Sequence, residues 1–347
     1  MKAAVTTEPG RMEFRDVPAS EPGPAEVVVR TQVVGLCGSD IHLFHGDHPY
    51  VRYPVIQGHE FSAIVAELGP DQPGGPDGLR PGDLVAVEPL RPCGTCLACR
   101  RGHGNCCRSL EVAGAHIDGA LRESLVVPAT SCYAVGDLPA DLAALVEPTS
   151  IGLQAVTRSG VGAGDQVVIL GAGPIGQTAA MAAADRGAEV LAVDLLDNRL
   201  ATARKLGATV TVNAGREDVA AAVQRWAGAD GPIAVIEATG LPALVRLAVD
   251  LVAHSGTVVV VGITSQDVSL PVVDFSRKEI NLLGSRNNAG VFGEAVDLVR
   301  RHRDAASSMI THRFAFGEVP AAMEMAAGHP QEAGKVQVRV GDAGGTA

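Results

Sequence analysis

From Met1 to about Ala134 the apolar positions come in short β-branched runs, such as Val27 to Val34 and Phe61 to Leu68, broken by turns rich in Gly and Pro. That pattern predicts a mostly β region. The segment Gly69 to Asp83 is dense in Gly, Pro and Asp and reads as a surface loop between strands. From about Gly164 the rhythm changes. Apolar runs now alternate with Ala-rich helical stretches, the pattern of parallel strands joined by crossover helices. The predicted strands are Gln166 to Leu170, Val190 to Val193, Ala234 to Glu237, Thr257 to Val261 and Ile280 to Leu283. The tail beyond Gly341 is small and polar and should be loosely ordered. No repeat occurs at solenoid or propeller periods.

A chain of 347 residues is about twice the ~150 of one typical domain, so two domains with separate cores are expected. The net charge of −11 repels phosphate backbones. Aromatic residues, at 1 Trp, 3 Tyr and 7 Phe, are too few to stack single-stranded bases. Nucleic acid is therefore not an expected partner. Met1 to Gly10 lacks the apolar core of a signal peptide, which points to the cytoplasm. The longest uncharged stretch, Gln166 to Ala184, is interrupted by Gly171, Gly173, Pro174 and Gly176, so no membrane helix is expected there.

That same interruption carries chemistry. Strand Gln166 to Leu170 runs into Gly171-Ala-Gly173-Pro174-Ile175-Gly176, and a helix follows as far as Asp185-Arg186 with Gly187 as its stop. Gly171 permits a tight turn, Gly173 lets backbone approach a pyrophosphate, and Gly176 lets helix and strand pack closely. The helix N-terminus offers N–H groups to the phosphate. Glycines also serve turns alone, but the next predicted strand ends at Asp194, 18 residues after Gly176. A carboxylate there suits ribose hydroxyls and repels a 2′-phosphate, which favours NAD over NADP. A solvated turn residue or cap is the other reading of Asp194.

Cys93, Cys96 and Cys99 form two consecutive Cys-x-x-Cys steps, and Cys107 follows seven intervening residues later. Four thiolates can enclose a tetrahedral zinc with no open position, which would make that metal structural. A redox or disulfide cluster and an iron–sulfur cluster are the alternatives for such spacing. Cys106 and Cys132 read as buried free thiols, with Cys106 a possible ligand rival of Cys107. Elsewhere Cys37, in Gly35-Leu-Cys37-Gly38-Ser39-Asp40-Ile-His42, and the pair His59-Glu60 offer thiolate, imidazole and carboxylate. These are zinc ligand types, yet each also fits a buried thiol or a core histidine. Spacing alone does not close this second site.

Cys37, His59-Glu60, the four-cysteine lobe, Glu147-Pro148 and the Gly171–Gly176 turn, in this order, resemble the zinc-dependent medium-chain dehydrogenases over essentially the whole chain. Glu147-Pro-Thr-Ser-Ile-Gly152 resembles the sorbitol, threonine and sugar-acid branch. Ala115-His-Ile-Asp-Gly119 and Gly284-Ser-Arg-Asn287 are most similar to its gulonate or idonate 5-dehydrogenases. The resemblance implies an α/β fold: a Rossmann doubly wound parallel sheet at 151–287, and a discontinuous, mostly β GroES-like catalytic domain at 1–150 and 288–347. An active site in the cleft between domains and a homodimer or homotetramer are implied as well.

It further implies two zinc ions per chain and NAD. Cys37 and His59 would bind the catalytic zinc, with Glu60 and Glu147 sharing the remaining protein position directly or through water; a charge at a helix N-terminus is the plainer reading of Glu147. Ser39 would be the relay hydroxyl beside the substrate and His42 the outward proton carrier. Their plainer readings are a turn serine and a surface histidine. Asp40 would orient His59, or simply cap a turn. Arg199 would lie against the adenosine, or stand exposed on a helix. Gly262 and Arg286 would line nicotinamide and substrate, with the Arg286 guanidinium suited to a sugar-acid carboxylate. His45, His48, His103, His116 and His329 read as loop or surface residues, although His116 could face the pocket. The implied reaction oxidises a secondary alcohol of a polyol or sugar acid, the metal acidifying the hydroxyl while hydride passes to NAD. Alternatives are an amino alcohol such as L-threonine, a keto intermediate of secondary metabolism, and a non-catalytic NAD-binding sensor.

Overall fold

The computed structural model describes residues 1–19, 21–47, 52–70 and 78–341. Residues 71–77 of the expected Gly69–Asp83 loop, His48 and the tail beyond Gly341 lie outside the described residues. The chain divides into two compact units. One comprises Met1–Glu147 and the residues from Phe292 onward, the other Pro148–Val291.

In the first unit, strand Glu26–Leu36 begins with alternating burial, Val27, Val29 and Thr31 facing inward, as a sheet with one wet face requires. From Val33 to Leu36 every residue is buried. This last stretch is flanked by strands Glu60–Leu68 and Lys335–Arg339, both antiparallel to it, and it delivers the chain to Cys37. The sheet runs Cys132–Ala134, Leu84–Val87, Glu60–Leu68, Glu26–Leu36, Lys335–Arg339, Ile310–Ala315, with Ser124–Pro128 also paired to Glu26–Leu36. Val27, Val29, Phe61, Val65, Val85, Leu121, Val336 and Val338 form its core. This is the GroES-like half.

The second unit is a six-stranded parallel sheet in the order Val210–Asn213, Glu189–Asp194, Gln166–Leu170, Ala234–Glu237, Thr257–Val260, Asn281–Gly284. Numbered along the chain this is 3-2-1-4-5-6, the doubly wound Rossmann order. Continuous burial of Val167–Leu170 and Val190–Val193 reflects a sheet covered on both faces. The edge strand Val210–Asn213 is absent from the predicted set. Its residues, Val-Thr-Val-Asn, are half polar, and the first two are only partly buried, so its apolar signal is weak. Among the described residues no helix is long and apolar enough to cross a membrane.

Candidate metal centre and nucleotide turn

Cys37 follows the buried end of strand Glu26–Leu36 and caps the helix Gly38–His45. Its N–H donates to Asp40 Oδ2 at 2.9 Å. Asp40, 1% exposed, places the same oxygen 3.6 Å from His59 Nδ1, an ion-pair separation rather than a hydrogen bond. Gln57 donates to the Asp40 carbonyl at 2.8 Å and Gly58 N–H reaches Asp40 Oδ1 at 3.4 Å. Asp40 is thus both a cap and the group facing His59. Burial works to raise the Asp40 pKa, but His59 and the N–H groups of Cys37 and Gly58 outweigh it and hold the carboxyl below its ordinary value. Burial of His59 likewise works to lower its pKa, and Asp40 and Cys37 outweigh that, leaving the ring well above its ordinary value.

Glu60 follows on the next strand and is fully buried. Donor atoms of Cys37, His59 and Glu60 all lie within 4.8 Å of one another. Glu147, 7% exposed at the start of helix Val146–Ser159, faces the same charges. Its carboxyl is raised to about 7 by burial and by repulsion from Glu60 and Asp40, against the attraction of His59 and Lys335. The arrangement therefore gathers acidic groups around an imidazole, an environment that stabilises positive charge. A divalent cation fits that environment and this thiolate–imidazole–carboxylate donor set. On the capping helix, Ser39 is partly buried and His42, three residues on, is exposed on the same face.

Farther along, Cys93, Cys96, Cys99 and Cys107 also bring their sulfurs within 4.8 Å of one another. The N–H of Thr95, its hydroxyl and the N–H of Cys96 lower Cys93 to about 6, whereas burial and the neighbouring thiols push Cys99 up to about 12. Four such thiols cannot all ionise together without a cation among them, and zinc supplies one. Cys132 is buried as expected, its thiol pushed to about 12 by that burial, whereas Cys106, expected to be buried, is exposed and outside the group. His45, His103, His116 and His329 are exposed, and His116 Nδ1 accepts the Val112 N–H at 3.3 Å.

In the second unit, Gly171 has φ +96°, and a Cβ on Gly176 would stand 1.8 Å from the Gly171 carbonyl. A Cβ on Gly173, the N-cap of helix Pro174–Asp185, would meet nothing within 4 Å. The turn is closed on the sheet side and open at the helix N-terminus, a cradle that fits a pyrophosphate. Asp194 Oδ2 accepts the Ala172 N–H at 2.8 Å, Oδ1 accepts the Leu196 N–H at 3.0 Å, and Arg199 Nη1 lies 3.8 Å from Oδ2. Gly262 packs against the Thr239–Gly240 turn, where a Cβ would come 1.9 Å from Gly240 N. Arg286 is exposed past strand Asn281–Gly284.

The alcohol dehydrogenase GroES-like domain family matches residues 23–137, and the zinc-binding dehydrogenase family matches residues 174–301. L-galactonate-5-dehydrogenase of Escherichia coli K12 is 33% identical over 91% of this chain and 92% of its own. The chain belongs to the zinc-binding alcohol dehydrogenases. A zinc-binding dehydrogenase from Sinorhizobium meliloti 1021 bound to NADP superposes with a TM-score of 0.89 at 33% identity, covering 98% of this chain and 99% of that one. The rspB alcohol dehydrogenase of Escherichia coli CFT073, complexed with NADH, does so at 0.88 and 28% identity over the same shares. This family member is an oxidoreductase whose cofactors are zinc and a nicotinamide dinucleotide.

Several side chains of these sites gave no sequence signal. Lys335, 2% exposed, lies 2.7 Å from both oxygens of Glu60. Buried Glu237 holds the Thr239–Gly240 turn, accepting the N–H of Thr239 at 2.7 Å and of Gly240 at 3.0 Å. Leu195, Leu241 and Ile263 are 66%, 56% and 96% exposed just past three strand ends, where open α/β sheets bind ligands.

Proposed function

We propose that the enzyme oxidises a secondary alcohol of a polyol or sugar acid to a ketone, with NAD as hydride acceptor. The donor set of half-buried Cys37 with buried His59 and Glu60, their ligand atoms within 4.8 Å of one another, carries this reading. The relative named for L-galactonate supports the substrate class.

Cys37 and His59 would hold the catalytic zinc, with Glu60 and Glu147 as the carboxylates that complete or exchange at it. His59 turns Nδ1 to Asp40, so Nε2 is the nitrogen it offers a metal. When bound, zinc makes a hydroxyl proton acidic, much as it lowers bound water to a pKa of about 7, and the nicotinamide accepts hydride. Ser39 would relay that proton, accepting it at its hydroxyl oxygen while giving up its own, and His42, exposed one turn on, would carry it to solvent. Cys93, Cys96, Cys99 and Cys107 would hold the second, structural zinc.

For the dinucleotide, Gly171, Gly173, Pro174, Ile175 and Gly176 form the pyrophosphate turn. Asp194, fixed by two backbone N–H groups, receives the ribose hydroxyls, with Arg199 beside it. A second negative charge on the 2′-oxygen would be repelled there. Leu195, Leu241 and Ile263 offer apolar surface to the rings, and Gly262 keeps the nicotinamide side flat. Arg286 is the guanidinium we assign to a sugar-acid carboxylate.

A panel of aldonates, polyols and L-threonine, scored by NADH or NADPH formation, tests the reading. Aldonates or polyols should turn over with NAD, and Asp194→Ala should weaken NAD and narrow the NAD/NADP ratio by roughly tenfold or more, the worth of ~1.4 kcal/mol. Turnover of L-threonine alone would move the enzyme to amino alcohols. NAD binding without oxidation of any alcohol would overturn the proposal.

We also infer a homo-oligomer built on the edge strand Asn281–Gly284. It ends the sheet, and Leu282, Val272 and Val273 are exposed on or just before it, a combination a lone soluble chain avoids. Sedimentation should give a dimer or tetramer mass, and a monomer at micromolar concentration would refute it.

A further inference from the structure

The turn Gly171–Gly176 is held by a side chain outside the glycine pattern. Gln177 follows Gly176 near the start of helix Pro174–Asp185 and is 2% exposed. Its Nε2 donates to the Ala172 carbonyl at 2.9 Å. The N–H of Ala172 donates to Asp194 Oδ2 at 2.8 Å, so side chains take both polar groups of this fully buried residue. A trans peptide points its C=O and N–H in opposite directions. Drawing the Ala172 carbonyl toward Gln177 therefore turns the next N–H, that of Gly173, the other way. The space around Gly173 is open, since a Cβ there would meet nothing within 4 Å. Pro174 has no N–H to offer at this helix end, which leaves Gly173 a larger share of the donors available to an anion. Glycine admits more than one orientation of that peptide, so something else must select one. Gln177 is a poor choice for packing alone. Its Oε1 is buried without a hydrogen-bond partner, a destabilising feature that an apolar side chain of the same length would avoid.

We propose that Gln177 is a positioning residue for the dinucleotide: by holding the Ala172 carbonyl, it presents the Gly173 N–H to the pyrophosphate. The inference rests on the reading of Gly171–Gly176 as the pyrophosphate turn. Without the carboxamide, the Ala172 carbonyl is free to turn to water. The peptide plane that rotates with it withdraws the donor and brings a carbonyl oxygen toward the phosphate charges. Asp194 still holds the N–H of Ala172, so the ribose contact stays in place.

Gln177→Met keeps the length of the side chain and removes its donor. The zinc-loaded protein is titrated with NADH, ADP-ribose and adenosine. The dissociation constants of the first two should rise about tenfold, the scale of one hydrogen bond to a charged group, while that of adenosine stays the same. KM for the dinucleotide should rise alike and kcat at saturation should hold. The Tm of the unliganded variant should not fall, because the orphaned oxygen leaves with the amide. Gln177→Leu should behave in the same way and decides the matter if Gln177→Met does not fold. Unaltered affinity for NADH and ADP-ribose overturns the proposal. So does a loss shared equally by adenosine or accompanied by a lower Tm, which would make Gln177 a packing residue. If the unaltered protein binds ADP-ribose no more tightly than adenosine, the turn holds no pyrophosphate and the reading beneath the proposal fails instead.

Discussion

Cys37→Ala is expected to reduce kcat by ~10³-fold or more and the zinc content from two ions per chain to one, while NAD still binds. The size follows from the acidity the metal confers, since lowering a bound oxygen's pKa from about 15.7 to about 7 changes its ionised fraction by many powers of ten. Only part of that factor is expressed in the rate, because hydride transfer has a barrier of its own. Binding of NAD is spared because the Gly171–Gly176 turn and Asp194 belong to the other compact unit. The fold should tolerate the change: Cys37 is a partly exposed N-cap, and Asp40 still takes the N–H of residue 37. Steady-state kinetics, metal analysis and a fluorescence titration with NADH check the three parts. A variant that keeps its kcat with one zinc missing would remove the metal from the reaction.

The elements that the sequence made plain are those whose physics is local. Strand Gln166–Leu170, the glycine turn and Asp194 follow one another within thirty residues, and each glycine serves a constraint visible at short range: a positive φ at Gly171, a carbonyl 1.8 Å from where a Cβ of Gly176 would sit. The four cysteines were legible for the same reason. Cys37 and His59 carry no such signal, since their meeting depends on two antiparallel strands in a register that bulges after Val28 and Thr31. Their assignment needed the resemblance. Lys335 was beyond either route. It is separated from Glu60 by 275 residues and comes from the returning end of the chain; in the sequence it is one more lysine before an apolar run. Strand Val210–Asn213 was missed for the opposite reason, as an edge strand need not be apolar enough to stand out.

Cys99→Ala should unravel the lobe between Leu90 and Val112 without abolishing NAD binding. That lobe has little core of its own. Leu90, Cys107 and Leu110 are its buried apolar residues, with Cys96, Cys99 and Val112 packed partly against them. Burying Leu90 and Leu110 is worth roughly 3–6 kcal/mol at about 1.5–3 each. That falls well short of the conformational entropy lost in ordering a loop of this length, and the ribbon Leu90–Arg91 with Glu111–Val112 is short. A structural zinc contributes on the order of 10–16 kcal/mol in small peptides, well above what those two side chains supply. Removing one thiolate should therefore release one zinc and open protease cleavage sites between Cys93 and Cys107, where Arg100 and Arg101 offer trypsin its targets. The Tm should fall by several degrees. Chelation of the unaltered protein should reproduce the cleavage pattern. Resistance to trypsin at Arg100 and Arg101 after the sulfur is gone would mean that side-chain packing, and not a metal, holds this lobe together.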